Sequence, residues 1–188
     1  MLEQLLLFGT SVYIGTSFFG NRPNITDTLH HRVQFEYDMG PLILGPVVQI
    51  NSHNVSYVTD QADSDCTVCF PGDFTTLGLG VLGSTRVGDG AIQFQPTIDI
   101  IINKIYSPID RTYYNEEIVP LFPASSTLIF DDLIFSSHVG LDIRHPLWNA
   151  GPGVVANVNA GFQNNIGFDY GCRIGLYYEF SQKYTIVD

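Results

Sequence analysis

Apolar and polar residues alternate along much of the chain, with a period of two residues. The clearest case is residues 166–180, where every even position is apolar or aromatic and every odd position is glycine, tyrosine or charged. Successive side chains of a β-strand point to opposite faces. The segment is therefore predicted to form one long strand with an apolar face and a more polar face.

The same alternation recurs in earlier segments. It is present at 33–39, 92–103, 139–144 and 154–163, and further strand candidates lie at 11–19, 42–50, 54–59, 66–70, 75–82 and 127–135. Glycine and proline residues between these segments are typical of turns. The pattern predicts an all-β fold, either an antiparallel, jelly-roll-like sandwich or a closed barrel of about 8–10 strands.

Two segments are expected to behave differently from this domain. Residues 1–29 are predicted to form an extended N-terminal arm or an edge strand, and residues 30–188 a single β domain. Within that domain, residues 104–126 contain several aromatic residues, two adjacent glutamates and the prolines Pro108, Pro120 and Pro123. A long, partly apolar loop in a compact domain is usually functional or docked. We therefore interpret 104–126 as a contact loop.

Composition narrows the classes of function. Of the 188 residues, 45% are hydrophobic and 14% charged, and 19 acidic residues against 8 basic ones give a net charge of −11. A nucleic-acid-binding module needs a positive surface, so this class is excluded. The aromatic content argues against disorder. Glu3 comes early and no basic residue precedes Arg22, which argues against a secretory signal.

No catalytic, cofactor-binding or metal site is predicted. The motif Cys66-Thr-Val-Cys69 lacks further ligands at zinc spacing, and its central residues favour a strand. The acidic run Asp60–Asp65 lacks the glycine and the distal glutamate of a calcium loop. His30 and His31 are expected to point to opposite faces of a strand, and no G-x-S-x-G motif accompanies them. The other histidines are His53, His138 and His145.

The main interpretation is a non-enzymatic structural subunit of a large symmetric assembly. A virion protein of the capsid, cement or tail type fits an all-β domain with apolar arms at 1–21 and 104–126. Its partners would be copies of itself and other structural proteins. Its location would be a virion or another extracellular assembly.

An alternative is a small outer-membrane β-barrel. The apolar face of 166–180 would meet lipid, and the other face a polar lumen. The run from Arg173 through Gly175 to Phe180 resembles the terminal strand signal of that class, although residues 181–188 follow it. Pro96 within a strand and the pair Asp131-Asp132 count against this alternative. A membrane would be a partner only under this alternative.

A second alternative is a soluble carbohydrate- or ligand-binding β domain. The single tryptophan, Trp148, follows His145-Pro-Leu and could stack on a sugar ring.

Overall fold

The fold is built from eight β-strands. The computed structural model describes residues 3–19, 25–55, 73–88, 91–105, 133–148, 151–164 and 167–185. The strands are β1 (Glu3–Phe19), β2 (Ile25–Asp38), β3 (Ile43–Val55), β4 (Phe74–Ser84), β5 (Gln93–Ile105), β6 (Leu133–Pro146), β7 (Pro152–Gln163) and β8 (Gly167–Thr185). No helix in these ranges is long and apolar enough to cross a membrane.

The eight strands form one closed antiparallel barrel. Each strand pairs with the next in sequence, and β8 pairs with β1 over 17 residues, from Glu3↔Thr185 to Phe19↔Asp169. The closed barrel of the sequence prediction is confirmed, and the sandwich is not. Residues 3–19, from the segment expected to be an arm or edge strand, are hydrogen-bonded on both sides as β1.

The register determines the tilt of the strands. A path of paired residues that starts at Phe8 and passes once around the barrel returns to β1 at Phe18, a shift of ten residues. With a rise of ~3.3 Å per residue and a strand spacing of ~4.8 Å, this shift over eight strands gives a tilt of about 40°. The path is Phe8, Tyr37, Leu44, Gly83, Ile98, Val139, Ala160, Tyr170 and Phe18.

The distribution of polarity is inverted relative to a water-soluble domain. Among the described side chains, 32 large hydrophobic ones are exposed and 9 hydrophobic ones are buried, whereas 23 polar or charged ones are buried. The alternation read from the sequence therefore places its apolar set on the outside of the barrel. The polar set fills the interior.

Interior glycines make room for large neighbours on adjacent strands. A Cβ atom on Gly161 would lie 2.2 Å from the ring of His138, and one on Gly153 would lie 2.3 Å from the ring of Tyr177. These distances are below van der Waals contact. The two large rings can therefore pack flat against the backbone of β7.

Pro96 lies inside β5 without breaking the barrel. The carbonyl oxygen of Pro96 accepts a hydrogen bond from the amide of Thr85, so Pro96 presents its backbone groups towards the β4 side. The pairing of β5 with β4 ends one residue later, at Thr97↔Ser84. The missing N–H of proline therefore falls one residue beyond the β4–β5 register, opposite Thr85, which lies outside β4.

The two ends of the barrel differ in the lengths of their connections. We call the end that holds the start of β1 and the end of β8 the turn end; its connections are 39–42, 85–92 and 147–151. The opposite end, the loop end, has the connections 20–24, 56–73, 106–132 and 164–166. The connection 56–73 has 18 residues and the connection 106–132 has 27. In the first turn, Gly40 adopts a φ of 93° and donates its N–H to Asp38 at 2.8 Å.

Some sequence predictions concern residues outside the described ranges. These are the strand candidate 66–70 with Cys66 and Cys69, residues 56–59 and 127–132 of the candidates 54–59 and 127–135 (with Asp131-Asp132), the run Asp60–Asp65, and the contact loop 104–126 beyond residue 105.

Candidate functional site

Among the described residues, the barrel interior contains seven buried carboxylate and guanidinium side chains, supplied by the four strands β2, β5, β6 and β8. Because the side chains of each strand alternate, every second residue points inward and these groups converge on the barrel axis. None is more than 4% exposed. The carboxylates are Glu36, Asp99, Asp142 and Asp169, and the guanidinium groups are Arg32, Arg144 and Arg173.

Arg144 organises the half of the interior nearer the turn end. Its guanidinium donates through both Nη atoms to Glu36 on β2, with Nη1 2.8 Å from Oε2, and its Nη2 also donates to Asp142 at 3.1 Å. Tyr13 donates its hydroxyl to Asp142 at 2.8 Å. The ring of Tyr177 lies 5.1 Å from the Arg144 guanidinium carbon, a cation–π distance. This cluster joins β1, β2, β6 and β8 across the lumen.

A second cluster lies in the middle of the interior. Arg32 donates to Asp99 on β5 at 2.6 Å. The other oxygen of Asp99 lies 2.9 Å from Nδ1 of His138, whose Nε2 lies 3.3 Å from Asp169 on β8. Gln163 on β7 donates to the same oxygen of Asp169 at 2.7 Å. The ionic contacts thus extend to β5, which the ionic contacts of the first cluster do not reach.

Neutral hydrogen bonds fill the half nearer the loop end. His30 lies 2.6 Å from the hydroxyl of Ser17 and 2.7 Å from the side-chain oxygen of Asn51. His53 lies 2.7 Å from the hydroxyl of Thr28, and its ring stacks on Phe74 with centroids 4.3 Å apart. Among the described residues, no group of three His, Cys, Asp or Glu side chains is placed to hold a metal ion.

These contacts determine what the interior can do chemically. The acids and bases of the two charged clusters are directed at one another rather than at an open cleft, and a buried network of this kind rigidifies the fold that contains it. The arrangement fills the interior with mutually bonded polar side chains and ties non-adjacent strands together.

The outward surface is a second candidate site, because it presents an apolar band between two rings of aromatic residues. Near the loop end, Phe18 lies 6.1 Å from Tyr170, and Phe162 lies 5.3 Å from Phe168. Near the turn end, Tyr178 lies 4.5 Å from Phe180. Phe135 also belongs to the first ring, and Phe94 and Trp148 to the second. The outward side chains between the rings include Val12, Ile14, Ile98, Ile100, Val139, Val158, Ile174 and Leu176.

The height of this band follows from β8. Tyr170 and Tyr178 are eight residues apart, and Phe168 and Phe180 are twelve apart. With a rise of ~3.3 Å per residue and a tilt of about 40°, the rings are about 20–30 Å apart along the barrel axis. An apolar band of ~25 Å between aromatic girdles is the geometry of a transmembrane barrel.

The structure locates the residues that the sequence singled out. His30 is buried and His31 exposed, which confirms that they point to opposite faces. Trp148 is 66% exposed beside the aromatic ring at the turn end. Cys172 is a free thiol on the outward surface.

The partners within the interior were not found from the sequence. Glu36 and Arg144 are 108 positions apart, and no spacing rule connects them. Each could be recognised only as a charged residue in the polar set of an alternating segment. Their meeting depends on the closure and the register of the barrel.

Comparisons with solved structures match the whole barrel. Neisserial surface protein A has a TM-score of 0.56 at 8% identity, over 93% of this chain and 97% of that chain. The N-terminal β-barrel domain of Pseudomonas aeruginosa OprF has a TM-score of 0.51 at 8% identity, over 94% of this chain and 100% of that chain. The sequence matches no protein-family model and no curated protein sequence.

These findings correct the main functional interpretation. The structures that share the fold are outer-membrane β-barrels, so the interpretation as a virion subunit was wrong, as was the virion location. The physical reason lies in the apolar faces. In a sandwich they would form the core, whereas in this barrel they face outward. Residues 3–19, in the segment expected to contact neighbouring subunits, instead pair within the barrel.

Proposed function

We propose that the chain is an integral outer-membrane β-barrel that holds surface segments on a closed, rigid scaffold. The observation that carries the proposal is the outward apolar band between the two aromatic rings. A soluble monomer rarely exposes apolar patches larger than a few hundred Å². Here such side chains cover the whole circumference of the barrel, and lipid is the solvent that matches them.

The connections at the two ends support one orientation. Transmembrane barrels of this class have short periplasmic turns and longer extracellular loops. The turn end would therefore face the periplasm together with the start of β1 and the end of β8. Segments 56–73 and 106–132 would be displayed outside the cell.

The displayed segments have a distinctive charge. The connections at the loop end contain nine acidic residues and two arginines, Arg22 and Arg111. An acidic surface repels polyanions. We therefore propose that the scaffold presents a surface that does not bind nucleic acid. The expectation that the chain associates with copies of itself stays a prediction.

We also propose that the role is not enzymatic. The side chains best suited to acid–base chemistry are buried and paired, Glu36 with Arg144 and Asp99 with His138. Because these groups satisfy one another across the lumen, the interior is proposed to be a structural plug rather than a pore or a substrate pocket.

Refolding into lipid tests the proposal. Chain diluted from urea into phospholipid vesicles should insert, resist carbonate extraction, and migrate differently on SDS gels before and after boiling. Planar bilayers that contain it should show no stepwise conductance. A chain that stays soluble and monomeric without lipid or detergent would contradict the membrane assignment, and a stable open conductance would contradict the closed lumen.

A further inference from the structure

His138 lies at the centre of a chain of contacts that joins five strands. Its Nδ1 is 2.9 Å from Oδ1 of Asp99 on β5, and its Nε2 is 3.3 Å from Oδ2 of Asp169 on β8. Arg32 on β2 and Gln163 on β7 extend the chain beyond these two carboxylates.

This geometry requires a particular protonation state. A neutral imidazole has one N–H and one lone pair, whereas the imidazolium has two N–H groups. Only the imidazolium can donate to both Asp99 and Asp169. With His138 charged, the described part of the interior contains four cationic groups against four carboxylates. Without that proton, one carboxylate oxygen faces a nitrogen lone pair.

The groups around the ring leave little to compensate for a lost proton. β5 contributes Asp99, β8 contributes Asp169 and Arg173, and β2 contributes Arg32, which is already paired with Asp99, and His30. On β6 itself, Asp142 is bonded to Arg144. β7 contributes the uncharged Gly161, whose backbone packs against the ring. His138 is 3% exposed, so water cannot readily take the place of either contact.

We propose that His138 is a proton-operated clasp in the barrel wall. While the ring is protonated it ties β5 and β6 to β8 and keeps the interior closed. Release of the proton at alkaline pH removes one of the two hydrogen bonds and loosens the middle of the lumen. This inference concerns the regulation of the interior described above and rests on the proposed function.

The clasp is tested by the pH dependence of unfolding in vesicles. Unfolding rates in urea are measured between pH 6 and pH 10, at steps of about one unit, for the wild type, His138→Gln and the control His145→Gln. His145 is exposed and bonds a backbone carbonyl of the turn end. The wild type and the control should unfold about tenfold faster at the alkaline limit, the effect of losing one charged hydrogen bond. His138→Gln should unfold fast at every pH and change less than about twofold.

Two results would overturn the clasp. One is a wild-type rate that does not change with pH. The other is an alkaline step that survives in His138→Gln, because groups other than His138 would then be responsible for it. If His138→Gln fails to fold, Asp169→Asn replaces it and should likewise diminish the step. A wild type that does not insert into vesicles refutes the membrane assignment itself, whereas one that inserts but shows no step refutes the clasp alone.

Discussion

At the scale of single residues, buried ion pairs hold the interior together. Arg144 contacts Glu36 and Asp142, and all three side chains are almost fully shielded from solvent. Such a buried ion pair stabilises the fold little more than a well-packed apolar pair would. The loss of one partner, however, leaves the other charge buried without compensation. The quantity to measure is therefore the free energy of unfolding that is lost when one partner is removed.

Arg144→Met should destabilise the barrel by about 3–5 kcal/mol, because Glu36 and Asp142 are left without their guanidinium partner. Urea unfolding in vesicles, followed by the fluorescence of Trp148, measures this cost. Adding Glu36→Gln to this variant should recover part of the lost stability, since it removes one of the two unpaired charges.

The matched control is Arg86→Met. Arg86 bonds Glu179 at 2.8 Å, but both side chains are 23% exposed at the turn end. Its removal should cost about 0–1 kcal/mol, as for other surface pairs. Equal costs for the two variants would contradict the role given to the Arg144 cluster.

At the scale of elements, β8 shows which features of the fold could be predicted from the sequence and which could not. Its alternation predicted a long strand with one apolar and one polar face, and both were found. The sequence did not determine which face was inside, because alternation is the same in a sandwich with an apolar core and in a barrel with an apolar exterior. The long polar side chains opposite interior glycines, such as His138 over Gly161, distinguish the two only once the register is known.

The loss of stability caused by an arginine introduced on the outward face of β8 should depend on how deep that position lies in the membrane. Ile174 is 71% exposed midway between the aromatic rings, and Phe168 is 64% exposed at the loop-end ring. Ile174→Arg should destabilise the folded barrel in vesicles by about 2–4 kcal/mol, and Phe168→Arg, through its charge, by about 0–1 kcal/mol. Urea titration of both variants in the same lipid measures the difference. Equal costs would mean that Ile174 does not face hydrocarbon.

At the scale of the whole molecule, closure and polarity together define the protein. Closing eight strands removes every sheet edge, which a lipid environment requires. The packed polar interior then supplies contacts between strands that are not neighbours. The objection from Pro96 fails because its missing donor lies beyond the β4 ladder. The pairing that closes the barrel, β1 with β8, joins the two ends of the chain, and no local sequence signal could have shown it.

The most direct test of the central claim is the depth of a tryptophan introduced on the outward face. Ile174→Trp in a Trp148→Phe background is folded into bilayers with bromine atoms at defined positions on the acyl chains. The account predicts strong quenching by bromines deep in the chains and little quenching by aqueous acrylamide. In the native protein, Trp148 should be quenched best by bromines near the headgroups, as expected for an interfacial aromatic residue. Free access of acrylamide to the introduced tryptophan, without quenching by the lipids, would contradict the claim that this face spans the membrane.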